Sequence, residues 1–340
     1  MSTRVERGAS EIVVGEWPAH PEHTAVLEAR GALLAWDVLV DSGPAARIHD
    51  LALAAEWLWE VYGPEAAAGI LGGATEVEPS ADDWVGRVAA YLSWAEAWWP
   101  ASAVAGVPAL DPAVLSAERA VALAEVEHVL DDPDAVARAL SSLSSLSSSE
   151  SADPAVLALM VTVAELAEDY GVVLPEAVAP RQSQFALAAG IGARGDGVIV
   201  LSGSNAVDWA LVPAGVVDAG ALAEWTVARR QGGTFLDVAV VPAPGLSTWP
   251  RLSARLGQFD VPLDGTDDLG RFVGSASVPP TVLLLPPARR VLTVYAPDFA
   301  DPLVSSDPDT PARRAAIIAH AQARVGAATS TLTERLAGSR

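Results

Sequence analysis

The chain has 340 residues, no Cys and a formal net charge of −22. It has no Lys either, so its 21 basic residues are all Arg. Disulfides, thiolate nucleophiles, Cys metal sites, a P-loop Lys, a Schiff-base amine and a kinase strand Lys are therefore excluded.

The apolar fraction of 51% is that of a globular protein. No apolar run reaches the roughly 18–20 residues that cross a bilayer. Residues 1–20 show little periodicity and are expected to form a flexible N-terminus, with a short strand at Glu11–Val14. Nothing there has the apolar core of a signal peptide, which makes the cytoplasm the default location. From Pro21 helical signals dominate. Leu27, Leu34 and Val38, with Trp36 beside them, predict a helix over Thr24–Val40, ended by Asp41-Ser-Gly-Pro44. Leu51, Ala54, Ala55, Leu58 and Tyr62 predict a second over Ala45–Tyr62, closed by Gly63-Pro64. A short helix follows over Pro64–Leu71. Ser80 reads as the cap of the next, with Asp82 and Asp83 in its first turn, where the helix dipole favours anions. Asp111-Pro112 opens a helix to about Leu130, and Asp153-Pro154 opens one to Gly171, each an acidic cap followed by proline. The serine-rich stretch 141–152 reads as a link or loop.

Beyond Pro180 the period changes. Phe185–Ala189 and Val198–Leu201 flank a glycine-rich turn. Ala206–Val212, Ala223–Ala228, Thr234–Val241, Thr281–Leu285 and Val291–Tyr295 read as further strands. Trp249–Leu256 reads as a short helix. Thr310-Pro311 opens a final helix to about 336, with Ile318, Ala321, Val325 and Leu332 on one face. The expected fold is α+β in two domains. An all-α helical domain over 21–172 is followed by a mainly antiparallel β domain over 181–340 that ends in a helix.

Few motifs carry chemistry. Gly190, Gly192 and Gly195 spell G-x-G-x-x-G, but a turn and a strand follow instead of the helix N-terminus a pyrophosphate needs, so a hairpin loop is expected. No G-x-S-x-G occurs. Asp264–Asp268 fails the calcium-loop spacing. His49-Asp50 resembles the His-Asp doublet of metal-dependent phosphohydrolases of the HD class; His23 and Asp131 or Asp132 are the residues that could complete such a site. Nothing beyond the doublet matches. Glu125 and His128, with Asp131 one turn on, have the Glu-x-x-His spacing of a helical metal site, without the second copy a di-iron bundle requires.

The charge is lopsided. Residues 1–180 hold 29 Asp and Glu against 7 Arg, and residues 181–340 hold 14 of each. Eight of the 11 Trp precede residue 100. Trp57 and Trp59 cannot share one helix face, nor can Trp98 and Trp99, so some must point away from the main core. The expected function is a non-catalytic adaptor or accessory subunit of a bacterial multiprotein system, without a cofactor. Trp57, Trp59, Trp98, Trp99, Asp82 and Asp83 are the candidate docking residues. A protein partner is favoured over nucleic acid or membrane, and the acidic half would attract a basic one. A metal-dependent hydrolase using His49, Asp50, Glu125, His128 and Asp131 is the alternative, and a small-molecule or peptide-binding regulatory module a third.

Overall fold

The computed structural model describes residues 2–80, 84–143, 153–174, 197–246, 249–302 and 309–339. The chain divides into two units. One comprises Met1–Trp98, Leu110–Arg181 and Ser330–Leu336; the other comprises Trp99–Ala109, Gln182–Thr329 and Ala337–Arg340. Among the described residues, nine helices and three antiparallel sheets are interspersed from the N-terminus.

The first unit begins with strands: β1 (Thr3–Arg7), β2 (Ile12–Val14), β3 (Thr24–Ala29), β4 (Ala32–Asp37) and β5 (Ala45–Ile48). Helices α1 (Leu51–Ala54), α2 (Leu58–Tyr62) and α3 (Pro64–Gly72) follow, then β6 (Glu76–Val77), α4 (Val85–Trp98), α5 (Pro112–Glu125), α6 (Ala135–Ser141) and α7 (Pro154–Asp169). The sheet order is β3-β4-β5-β2-β1-β6. One buried row crosses it, through Leu27, Leu34, Ala46, Val14 and Val5. Helix α4 packs against β3 and β4, and Trp36 stacks on Trp84 with ring centroids 6.0 Å apart.

The all-α first domain expected from the sequence, and with it the description of this half as a helical domain, is therefore overturned. The segment Thr24–Val40 is a β-hairpin, and Ala45–Tyr62 is a strand followed by two short helices. Two local facts decide it. Gly31, at φ 75, makes the two-residue turn with Arg30, and a Cβ there would lie 2.4 Å from the Asp50 carbonyl oxygen. In β4, Ala32, Leu34, Ala35 and Trp36 are all buried, so the strand is covered on both faces and loses the alternation that marks a strand. Helix-favouring Ala and Leu were overridden by tertiary burial.

Tyr62 is wholly buried, and its hydroxyl donates to the Pro44 carbonyl at 3.1 Å. Burial pushes its phenol far above the ordinary value. A tyrosine raised in the folded state contributes stability in full below its unfolded pKa near 10 and loses it as pH rises further. The expected result is a fall in unfolding free energy of roughly 1.4 kcal/mol per pH unit above about 10. Urea titrations of the protein and of Tyr62→Phe across that range check it; the Phe variant should show a shallower fall.

The acidic caps of α5 and α7 form as read. Asp111 accepts from the Ala113 and Val114 amides, and Asp153 from Ala155. Helix α5 stops at Glu125 instead of Leu130, and a 3-10 turn, Glu127–Val129, follows. The expected first-turn residues Asp82 and Asp83, the stretch 144–152, the strand at Phe185–Ala189 and the 190–196 loop lie outside the described residues.

The second unit contains β7 (Val198–Ala206), β8 (Leu222–Arg230), β9 (Gly233–Val240), β10 (Leu252–Leu256), β11 (Phe259–Leu263), β12 (Gly265–Thr266), β13 (Phe272–Ser277), β14 (Leu292–Tyr295) and α8 (Thr310–Val325). A five-stranded sheet runs β12-β13-β9-β8-β7, and a three-stranded sheet β11-β10-β14. Their inner residues, among them Trp225, Leu236, Leu252, Val261 and Phe272, form one apolar core. The expected strand at Ala206–Val212 gives way to a 3-10 turn capped by Asp208, and that at Thr281–Leu285 to a 3-10 turn begun by Pro280. Trp249–Leu256 carries strand β10 where a short helix was expected.

One buried carboxylate ties the loop 99–109 to the rest of this unit, beside the bonds of the Ala219 amide to the Ala101 carbonyl and of the Gln322 side chain to the Ala105 carbonyl. Asp218 is 1% exposed. It accepts the Ser102 hydroxyl at 2.6 Å and the Ala103 amide at 2.7 Å on the loop side. On its own side it accepts the Gly220 and Ala221 amides, each at 3.0 Å.

The final helix expected to about 336 is broken. Helix α8 ends at Val325, and α9 (Leu332–Gly338) begins separately. Thr331 and Glu334 form a reciprocal cap, each side chain meeting the other's amide. Residues Ser330–Leu336 belong to the first unit. There Glu118 accepts from the Leu332 and Thr333 amides and the Thr333 hydroxyl, and Tyr91 donates to the buried Glu334.

Candidate functional site

The charge separates by unit much as it does by position in the chain. The first unit carries 30 Asp and Glu against 9 Arg, and the second 13 against 12. Aromatic side chains on the surface of the first unit therefore sit in a strongly negative field.

The helix carrying Trp57 and Trp59 is interrupted. Helix α1 ends at Ala54, and the chain resumes helical form at Leu58. Trp57 points inward at 1% exposure and donates its indole N–H to the Arg30 carbonyl at 2.8 Å. Trp59, two residues on, points outward at 53% exposure. Its indole is nevertheless held, because Nε1 donates to the Glu56 carbonyl at 2.9 Å. The Glu56 amide in turn bonds the carbonyl of Leu53, itself an exposed apolar side chain. Arg30 is engaged by the Glu56 carboxylate at 2.6 Å. Next along the chain, Glu60 pairs with His128 at 2.9 Å. Glu127 beside it hydrogen-bonds Tyr170, whose phenol is pushed up to about 12, by burial first and by the Glu127 contact second. The surface so built is a fixed indole and a leucine bordered by carboxylates.

The other expected docking residues lie elsewhere. Trp98 is half-buried at the end of α4. Trp99 is buried in the second unit and donates to the Pro108 carbonyl at 2.8 Å. Asp82 and Asp83 lie outside the described residues.

The five residues of the alternative metal site are not brought together. His49 is exposed, and Asp50 caps α1 through the Ala52 and Leu53 amides. Glu125 ends α5 and is exposed, so the break after it removes the shared helical face with His128. The backbone amide of Asp131 bonds the Glu28 carbonyl. His23 is buried against Asp37 at 3.1 Å. Among the described residues, no group of three or more His, Asp or Glu could hold a metal ion.

Sequence reasoning singled out neither Glu56, Glu60 nor Arg30. The Trp59–Glu56 relation was available from its i, i−3 spacing. The Glu60–His128 pair spans 68 residues, and no local pattern announces it. Among the described residues no helix is long and apolar enough to cross a membrane. The chain matches no family model, no curated protein and no solved structure.

Proposed function

We propose that the protein is a non-catalytic adaptor or accessory subunit of a bacterial multiprotein system in the cytoplasm, and that its first unit docks a basic protein partner at Trp59. The observation that carries this reading is a tryptophan 53% exposed yet fixed by a hydrogen bond to the Glu56 carbonyl. Trp is the side chain most enriched at binding hot spots. A held ring loses less conformational freedom on binding than a mobile one. The surrounding excess of carboxylates steers a basic surface toward it and repels a phosphate backbone.

The test compares capture from cell extract by the protein, by Trp59→Ala and by Glu56→Arg/Glu60→Arg. Trp59→Ala should leave the fold intact, since the ring is outside the core, and weaken the captured complex about tenfold or more. The charge variant should slow association and flatten its dependence on salt. Equal recovery by all three would overturn the reading.

A further inference from the structure

The first unit holds a pair of histidines that the Trp59 surface does not use. The segment His20-Pro-Glu-His23 lies between β2 and β3. It lacks the i, i+4 spacing of a helical zinc pair. The structure, however, folds Pro21–His23 as a 3-10 turn with His20 at its cap. Such a turn takes three residues, so side chains at i and i+3 eclipse. The two imidazoles are accordingly neighbours, with ring centroids 5.3 Å apart and planes tilted by 47°.

The pair is fixed from several sides. Proline opens the turn. The His20 carbonyl accepts from the Thr24 hydroxyl at 2.6 Å and from the His23 amide at 3.3 Å. The Glu22 carbonyl accepts the Trp94 indole of α4 at 2.8 Å, and the His23 carbonyl accepts the Val38 amide at 2.9 Å. His23 is 8% exposed, and its Nδ1 meets the Asp37 carboxylate at 3.1 Å. A carboxylate accepts, so Nδ1 carries the proton and Nε2 keeps the lone pair. The other Asp37 oxygen accepts the Leu39 amide at 2.9 Å, which sets the carboxylate's orientation.

A carboxylate on one ring nitrogen orients a histidine and raises the basicity of the other nitrogen, which is how metal-binding histidines are held. Two imidazoles on one tetrahedral ion, with metal–nitrogen bonds of about 2.0–2.1 Å, have their centroids roughly 5 Å apart. The spacing of 5.3 Å fits. We propose that His20 and His23 bind one divalent transition-metal ion of the zinc class, with Asp37 as the positioning carboxylate behind His23. Imidazole suits zinc, copper and nickel, whereas magnesium and calcium take oxygen ligands. The chain supplies two ligands, fewer than the groups of three absent among the described residues. Water or a ligand from outside takes the remaining positions, as in an open zinc site. His20 is partly exposed, which gives the ion its entry.

The test uses the full chain stripped of metal with EDTA, at a pH above the ordinary imidazole pKa of about 6.5. Calorimetric titration with Zn2+ should show one ion per chain. The chain has five His and no Cys, so its imidazole proton resonances are few, and Zn2+ should shift those of His20 and His23. His20→Ala should weaken binding about tenfold or more while circular dichroism stays unchanged. Asp37→Asn should weaken it about 10–100-fold, because an amide facing Nδ1 favours the tautomer with its proton on Nε2. His49→Ala, at an exposed histidine elsewhere, should bind as the parent does. No binding at millimolar Zn2+, undiminished binding by His20→Ala, or resonance shifts confined to other histidines would overturn the proposal. None of these outcomes depends on Trp59, so the two proposals fail separately.

Discussion

Replacing Asp218 with Ala is expected to lower the stability of the second unit by about 3–5 kcal/mol. The carboxylate is 1% exposed and is the shared acceptor for donors on two stretches of chain more than a hundred residues apart. Its removal leaves the Ala103 and Gly220 amides without that acceptor and the Ala221 amide with only the backbone carbonyl of residue 218. Each buried donor so stranded costs roughly 1–3 kcal/mol unless water reaches it. Relaxation of the 99–109 loop toward solvent, where Val104 is already exposed, keeps the total below the simple sum. Urea unfolding followed by circular dichroism measures the loss. Trp99, whose indole is tied to Pro108 within the same loop, gives a local signal: its emission should shift to the red. Asp218→Asn keeps one acceptor oxygen and should fall between. A loss under about 1 kcal/mol for Asp218→Ala would mean that the loop is held by other contacts.

A second large effect is expected where β13 crosses β11. A Cβ on Gly274 would lie 2.0 Å from the Pro262 carbonyl oxygen, 2.9 Å from Val261 Cγ1 and 3.0 Å from Leu263 Cδ2. These atoms belong to a strand of the facing sheet, and one of them is backbone, so no side-chain rotation relieves the overlap. Gly274→Ala should cost about 3 kcal/mol, at the upper end for overpacking, because the two sheets must separate locally. Ser277→Ala, exposed on the same strand, should change stability by less than about 0.5 kcal/mol. Thermal unfolding of the pair checks both. Equal midpoints would show that the sheets slide apart at little cost.

Features set by a few adjacent residues were legible in the sequence, and features set by distant ones were not. Asp111-Pro112 and Asp153-Pro154 start helices because cap and first turn are contiguous. Leu27, Leu34 and Val38 satisfied a helical spacing only by being counted across Arg30-Gly31, where the chain reverses. Polar alternation, the usual sign of a strand, was missing in β4 because residues on both of its faces are buried. The candidate surface divides the same way. A spacing of two along a helix required Trp57 and Trp59 to face differently, but which of them faced solvent depended on Arg30, in a hairpin 27 residues earlier. His128 was readable as a partner for a carboxylate, and the partner, Glu60, was not.

The carboxylate of Glu118 carries a consequence for the order in which the molecule takes shape. Its acceptors are met by Leu332 and Thr333, the latter 215 residues further along. A chain made from its N-terminus has helix α5 long before it has α9. The whole of Gln182–Thr329 must be synthesised in the interval. Contacts so distant in sequence form late, after the loop entropy between them has been overcome. The first unit is thus begun first and completed only after the second unit's strands have been made, and a nascent chain halted before Leu332 would hold those strands while Glu118 still lacks its partners on α9.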